Sequence, residues 1–440
     1  MLEGRKNIFI VGIGGIGVSG LARLLRARGV EVSGSDLEQS PITEALAREG
    51  IPVAVGHREE NLPERAELLI YSAAVPDTNP ERKMARDRSI PEMSYAEALG
   101  ELLSQYELIA VAGTNGKTTT AAMVAEILQQ AGLDPSALVG SIVKNWGSNV
   151  RIGKGKYFVL EADEYRRAFL HYDPTVAVIT NIEADHLDYF KDLGDVKKAF
   201  LEFAMRIRPG GCLVYNAASS AAAEIAKEAN GRKISFALRP PANITSLTVD
   251  LTKLQVPGEF NRENALAAAA AAQVLGVAKA HIDAGLRAFT GTWRRFERLG
   301  KVGNTEIISD YAHHPTGVKV TLEAAESVFG KKILAVFQPH QHNRTKKLLG
   351  EFVSAFGKSG VRDLIIPEIF EVRGREESAD QDISSADLVK ALTTAGKHAQ
   401  YAANLVECEK MVKRVLPEYD AVIFMGAGDI YKVAERLANG

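Results

Sequence analysis

Cysteine is almost missing from this 440-residue chain, which carries only Cys212 and Cys408. So few thiols, without Cys-x-x-Cys spacing, form neither a disulfide framework nor a zinc-ligand pattern. Both read as small core residues of a reducing compartment. Net charge is also nearly missing: 53 Lys+Arg stand against 55 Asp+Glu, a formal charge of −2. That balance gives no basic footprint for nucleic acid. Long apolar runs are lacking too. The longest candidate, Ala265–Ala272, is alanine-rich and stops at Gln273, well short of the roughly 18 residues of a bilayer span. The early apolar stretch Ile8–Val11 meets glycines at once, so it reads as a first strand and not as a secretory leader. The expectation is a cytoplasmic protein, a monomer or weak homodimer, with no nucleic-acid or membrane partner.

What is present is ample core material: 46% of residues are hydrophobic, enough to exclude wholesale disorder. At about 150 residues per domain, the length suggests roughly three domains. Strand-like runs alternate with helical patterns along most of the chain, the signature of α/β units on parallel sheets. The pattern restarts twice, dividing the chain into 1–104, 105–298 and 299–440. In the first block Ile8–Val11, Val30–Gly34 and Leu68–Tyr71 read as strands, with a helix over Ile16–Arg28. Leu108–Ala112 opens the second block, followed by a helix over Thr119–Ala131 and strands Tyr157–Leu160 and Val176–Thr180. In the third block Glu306–Ser309, Ile333–Phe337, Leu364–Ile366 and Ala421–Phe424 read as strands. Nearly every unusual polar cluster comes just after one of these runs, at the sheet edge where open α/β folds bind ligands.

The first cluster is Gly12-Ile-Gly14-Gly15-Ile-Gly17, a G-x-G-x-x-G between a strand and a helix. Glycines permit a tight turn there, and the helix N-terminus offers N–H groups to a diphosphate. Asp36, at the end of the second strand, can accept from a ribose hydroxyl. By itself this fingerprint also suits a nicotinamide or flavin cofactor, and a plain structural turn is the blander reading. The second cluster, Gly113-Thr114-Asn115-Gly116-Lys117-Thr118-Thr119, has backbone amides to cradle phosphates. Its Lys117 ammonium suits β- and γ-phosphates, and the Thr118 hydroxyl suits Mg²⁺. Val111 stands where the standard P-loop pattern has its first glycine.

Two groups able to hold a metal follow. Glu161-Ala-Asp163-Glu164 and Asn181-Ile-Glu183-Ala-Asp185-His186-Leu-Asp188 each come directly after a strand. Carboxylates beside one imidazole suit Mg²⁺, while a solvated loop is the alternative for either alone. Asn261 and Asn264 offer paired donors and acceptors for the edge of adenine, or caps for the following helix. Arg294-Arg295 can stabilise a transferring phosphate or form an interdomain salt bridge. Asp310-Tyr-Ala-His313-His314-Pro315 opens the third block after a strand, and Gln338-Pro-His340-Gln341-His342-Asn-Arg344 follows the next strand. Their histidines lack the spacing of a zinc site.

Taken together, G-T-N-G-K-T-T, E-A-D-E, N-I-E-A-D-H-L-D, N-R-E-N-A-L-A, R-R-F-E, D-Y-A-H-H-P-T and M-G-A-G-D-I resemble the Mur ligases. These are ATP-dependent amide-forming enzymes of peptidoglycan precursor synthesis, and the resemblance spans essentially the whole chain. The opening G-I-G-G-I-G-V-S-G-L-A and S-G-S-D resemble the branch that adds L-alanine to UDP-N-acetylmuramate. E-A-D-E-Y is partly similar to the branch that recycles a tripeptide, which leaves a different amino acid or a recycled peptide as the in-family alternative. A nicotinamide-dependent dehydrogenase and a nucleotide-switched binding module are the readings from other classes.

The resemblance implies an N-terminal Rossmann-like domain for the UDP-sugar, a central P-loop ATPase-type α/β domain and a C-terminal Rossmann-like domain. Gly12, Gly14, Gly15, Gly17, Asp36 and Ser72 would hold the UDP-sugar. Gly113 to Thr119, Asn261, Asn264, Arg295 and Asp310 would bind ATP, with Asp310 on its ribose. Thr118, Glu161 and His186 would hold Mg²⁺. Lys117 and Arg295 would stabilise the transferring phosphoryl group, while His314 and Arg344 place the amino acid. The sequence departs from the alanine-adding branch at Asn115, where His is usual, and at Gln341, where Arg is common. Lys197 and Lys198 only approximate the carbamylated lysine of some relatives.

Overall fold

The computed structural model describes residues 1–186, 189–371 and 382–439. In the first sheet β1 (Asn7–Val11), β2 (Glu31–Asp36), β3 (Val53–Val55), β4 (Leu68–Tyr71) and β5 (Glu92–Ser94) run parallel in the order β3-β2-β1-β4-β5. β1 and β4 are apolar and buried almost throughout, as strands covered by helices on both faces must be. The helix Ile16–Ala27 follows β1, burying Leu21, Leu24 and Leu25.

The second sheet holds β6 (Glu107–Ala112), β7 (Ser136–Val143), β8 (Ser148–Arg151), β9 (Tyr157–Glu161), β10 (Val176–Ile179), β11 (Cys212–Asn216) and β12 (Arg232–Phe236). Their order is β12-β11-β10-β6-β9-β7-β8, and only the β7–β8 hairpin is antiparallel. β6 therefore lies between β9 and β10, so the loops after these three strands open on one edge. The helix Lys117–Gln130 is buried nearly all round and packs against the helix Lys279–Ala288.

The third sheet contains β13 (Glu297–Val302), β14 (Thr305–Asp310), β15 (Ile333–Phe337), β16 (Asp363–Pro367), β17 (His398–Ala402) and β18 (Ala421–Met425). The order is β13-β14-β18-β15-β16-β17, with β13 antiparallel to its neighbour.

By packing, the three sheets fall into two compact units. Met1–Lys253 and Glu263–Phe289 form one compact unit, and Leu254–Arg262 with Thr290–Gly440 form another. The first two sheets share a single hydrophobic core that runs from Ile8 and Leu21 through Leu138 and Val150 to Phe203. Residue 298 lies inside β13. Among the described residues, no helix is long and apolar enough to cross a membrane.

Candidate active site

In the first unit, the turn after β1 begins at Gly12, whose φ of +75° is a left-handed value that glycine adopts freely. A side chain there would also strike Ser72, just beyond β4. Gly14 N donates to Asp36 Oδ2 at 2.8 Å, so the carboxylate expected on a ribose already braces the glycine loop. The hydroxyl of Tyr95 fills the space a side chain at Gly17 would take. Burial, then the charges of Asp163 and Glu161, raise the Tyr95 phenol. Asn149, in β8, donates to Ile16 O at 2.7 Å and ties the first helix to the second sheet. The glycine loop and the acidic strand ends thus belong to one packed region, through contacts that no local motif announces.

The second loop starts at Gly113 and caps the helix Lys117–Gln130 through Gly116, at φ +84°. A side chain at Gly116 would collide with Asn264 Oδ1, which also accepts from Thr120 Oγ1 at 3.3 Å. The segment after β10 holds the loop in shape. Thr114 N donates to Asn181 O at 2.9 Å, Asn115 N donates to Asn181 Oδ1 at 2.9 Å, and Thr180 Oγ1 donates to Asn115 O at 2.6 Å. Glu183 N closes the set by donating to Thr114 Oγ1 at 2.9 Å.

Lys117 Nζ donates to Gly113 O at 2.6 Å and lies 3.0 Å from both carboxylate oxygens of Glu164. Glu164 is only 2% exposed. Its burial lifts the carboxyl to about 7, against the pull of Lys117 and with a further push from Asp163. Burial alone would lower the Lys117 ammonium, but Glu164, Asp163 and Glu161 outweigh it and hold the group above its ordinary value.

Thr118 Oγ1 donates to Glu161 Oε1 at 2.9 Å, bringing two of the residues expected at Mg²⁺ into contact. Glu161 Oε2 accepts from Gly140 N in β7. His186, at φ +53°, rests against the Tyr165 ring at 4.9 Å. Asp163, Glu164 and His186 bring ligand atoms within 4.8 Å of one another. This oxygen-rich set with one imidazole fits the chemistry of Mg²⁺. Asp188 lies outside the described residues. Lys197 is paired with Glu224 instead.

Asn261 lies inside the helix Glu259–Val274 and donates through Nδ2 to Pro257 O at 2.6 Å. In the second unit Asp310 is 5% exposed. Its Oδ2 accepts from Phe296 N at 2.6 Å, and its Oδ1 accepts from Ala312 N at 2.7 Å and Thr321 Oγ1 at 3.3 Å. Burial raises its pKa while Arg295 and these donors oppose the rise. Asp310 thereby fastens the R-R-F-E turn to the D-Y-A-H-H-P loop.

Arg294, unlike its neighbour, is buried among aromatic rings. Its guanidinium lies 4.5 Å from the Tyr431 ring and 4.8 Å from that of Tyr311, and donates to Gly426 O. Arg295 sits over Tyr311 at 4.9 Å. His314 begins the helix Pro315–Phe329. Arg344 Nη1 lies 3.0 Å from His340 Nδ1, and His340 stands 5.7 Å from His313 ring to ring. Gln341 holds a φ of +69° and its N–H donates to Phe370 O. Among the described residues, these histidines form no metal-sized group with other ligands.

Three family descriptions match in succession: "Mur ligase family, catalytic domain" over residues 7–107, "Mur ligase middle domain" over 111–272 and "Mur ligase, glutamate ligase domain" over 294–428. The chain belongs to the Mur ligase family. It is similar to the UDP-N-acetylmuramate–L-alanine ligase of Acetivibrio thermocellus, with 40% identity over 98% of this chain and 95% of that one. The Lachnospira eligens ligase of the same name is 38% identical, over 98% and 97% of the two chains.

Among solved structures, the UDP-N-acetylmuramate–alanine ligase of Thermotoga maritima superposes with a TM-score of 0.82 at 28% identity, covering 98% of each chain. A murein peptide ligase from Psychrobacter arcticus shares the fold at a TM-score of 0.70 and 24% identity, covering 99% of this chain and 98% of that one. Family membership replaces the dehydrogenase that the first glycine fingerprint had left open.

Proposed function

We propose that this chain joins L-alanine to the lactyl carboxylate of UDP-N-acetylmuramate at the expense of ATP, through an acyl phosphate, in peptidoglycan precursor synthesis. The observation that carries the reading is one packed unit holding both phosphate-type loops, Gly12–Gly17 and Gly113–Thr119, with the E-A-D-E acids and Tyr95 joining them. Full-length similarity to alanine ligases supports the choice of substrates.

The chemistry follows from the groups present. A carboxylate is a poor electrophile at neutral pH, and transfer of the γ-phosphoryl group gives it a phosphate leaving group. The neutral amine of L-alanine then attacks, and the tetrahedral intermediate expels phosphate. Both steps gather negative charge, so fixed donors and cations dominate the rate. Lys117 exchanges Glu164 for the β- and γ-phosphates. Thr118, Glu161 and His186 would hold Mg²⁺, with Asp163 and Glu164 beside His186 as further ligands. A Mg²⁺ held by these residues would supply neutralisation of phosphate charge. Asn264 lines the phosphate loop, and Asn261 serves the adenine end. Arg295 is assigned to phosphoryl charge, and His314 and Arg344 to the amino acid. Asp310 acts by fixing the Arg295 turn.

Hydroxylamine in place of L-alanine tests the acyl phosphate. A UDP-sugar hydroxamate should form only with ATP, Mg²⁺ and the UDP-sugar, and should vanish in Lys117→Ala. Amide formation from L-alanine without hydroxamate would point to a concerted transfer, and neither product with any UDP-sugar would overturn the assignment. Product masses across L-alanine, L-serine, glycine and a tripeptide amine separate the alanine-adding reading from its in-family alternative.

A further inference from the structure

The loop after β4 receives a guanidinium from the segment that follows the E-A-D-E acids. Arg166 Nη1 donates to Ala73 O at 2.9 Å, and the Tyr165 ring flanks the guanidinium at 5.7 Å. Ala73 directly follows Ser72, whose Cβ lies 2.9 Å from the place a Cβ on Gly12 would occupy. The charge therefore stands at the rim of the first glycine loop.

Two further observations single Arg166 out. Arg166 and Arg167 both hold left-handed backbone, at φ 50° and 58°, a conformation that non-glycine residues avoid and that gathers at ligand clamps. This turn sends their side chains to different partners. Arg167 pairs with Asp195 at 3.1 Å and Glu202 at 2.6 Å, whereas Arg166 is exposed and has no carboxylate partner among the described residues.

Charge around the loop points the same way. Asp36 places a carboxylate on Gly14. Arg23 is bound to Glu49, and Arg82 to Asp77 and Glu92. Among the described residues, Arg166 brings to this rim a cation that no carboxylate pairs with.

We propose that Arg166 binds the diphosphate of the sugar nucleotide, adding from the segment after β9 a cation to a site where the first glycine loop supplies backbone N–H groups. The inference rests on the sugar-nucleotide reading of Gly12–Gly17. One N–H keeps Ala73 O while the others reach phosphate oxygens, within the five donors a guanidinium offers.

The test compares wild type, Arg166→Gly and Arg166→Lys. Glycine adopts the left-handed backbone without strain, so it removes the guanidinium and spares the turn. Calorimetric titration with UDP and with UDP-N-acetylmuramate should show affinities about tenfold or more weaker in Arg166→Gly, partly restored in Arg166→Lys. ATP affinity should stay at the wild-type value. Under turnover the KM for the UDP-sugar should rise while kcat holds, and the ionic-strength dependence of UDP binding should flatten. Wild-type UDP affinity in Arg166→Gly would overturn the proposal and leave a strut to Ala73. Equal loss of UDP and ATP binding would overturn it in favour of a general structural role. If wild type itself binds no UDP ligand, the sugar-nucleotide reading falls and this inference falls with it.

Discussion

Asp310→Asn separates two roles open to this carboxylate, contact with a nucleotide and support of the neighbouring loop. The side chain is 5% exposed, and each oxygen accepts a backbone N–H, from Phe296 at 2.6 Å and from Ala312 at 2.7 Å. An amide keeps one oxygen and turns an NH₂ group toward the other donor. One buried N–H then loses its acceptor, which costs about 1–3 kcal/mol. A further loss comes from replacing a charged acceptor by a neutral one, while release of the buried charge offsets part of it. The net expectation is a second unit destabilised by about 2 kcal/mol, which for a body of this size lowers Tm by roughly 4–8 °C. Scanning calorimetry of the intact chain reads the shift, and ATP-dependent phosphate release from the same preparation reads activity at a temperature where both forms stay folded. Loss of turnover with an unchanged Tm would refute the reasoning and assign the carboxylate to the ligand. A lowered Tm with substantial turnover would leave Asp310 as the fastener of the Arg295 turn.

Lys117→Ala should cut turnover by about 10²–10³-fold, the cost of one transition-state charge contact, with UDP-sugar affinity nearly intact; a rate above about a tenth of wild type would contradict its phosphoryl role. Glu161→Gln and His186→Ala should each raise the Mg²⁺ concentration for half-maximal activity, and unchanged Mg²⁺ titrations in both would return these side chains to a structural role. Glu164 gives a pH signature. Its carboxyl titrates at about 7 in the folded chain against an ordinary 4.5, so its contribution to stability is full below the lower value and lost as pH rises through the upper one. Urea unfolding in EDTA at about pH 5 and about pH 8 should show that loss in wild type and a flatter response in Glu164→Gln; equal slopes would refute the assignment.

Periodicity and turn chemistry made much of this fold legible. Leu68–Tyr71 and Ile333–Phe337 are strands with the bounds expected from their apolar runs, because buried parallel strands announce themselves by continuous hydrophobicity. β13 has no such run, because Glu297–Val302 is largely polar and lies at a sheet edge. The antiparallel β7–β8 hairpin is likewise not announced by its sequence. The phosphate loop was visible as a local string, and so were the acids after β9. What holds them was not. Thr180 and Asn181 grip a loop 66 residues earlier in the chain, Glu164 meets Lys117 across 47 residues, and Tyr95 meets Gly17 from another helix. Such partners are chosen by topology, and no local spacing encodes them. Arg294 illustrates the same limit, since its aromatic cage draws on Tyr311 and Tyr431.

The chain passes between its two compact units at residues 253/254, 262/263 and 289/290. A single proteolytic nick at the first crossing would therefore not release two self-sufficient pieces. The C-terminal fragment would still own Glu263–Phe289, which belongs to the packing of the N-terminal one. Nicked protein should stay associated by fragment complementation, and grafting the second unit from a relative would need two discontinuous segments moved together. Exchange of whole units by simple recombination is thereby penalised, which ties the inheritance of the phosphate-loop half to that of its partner.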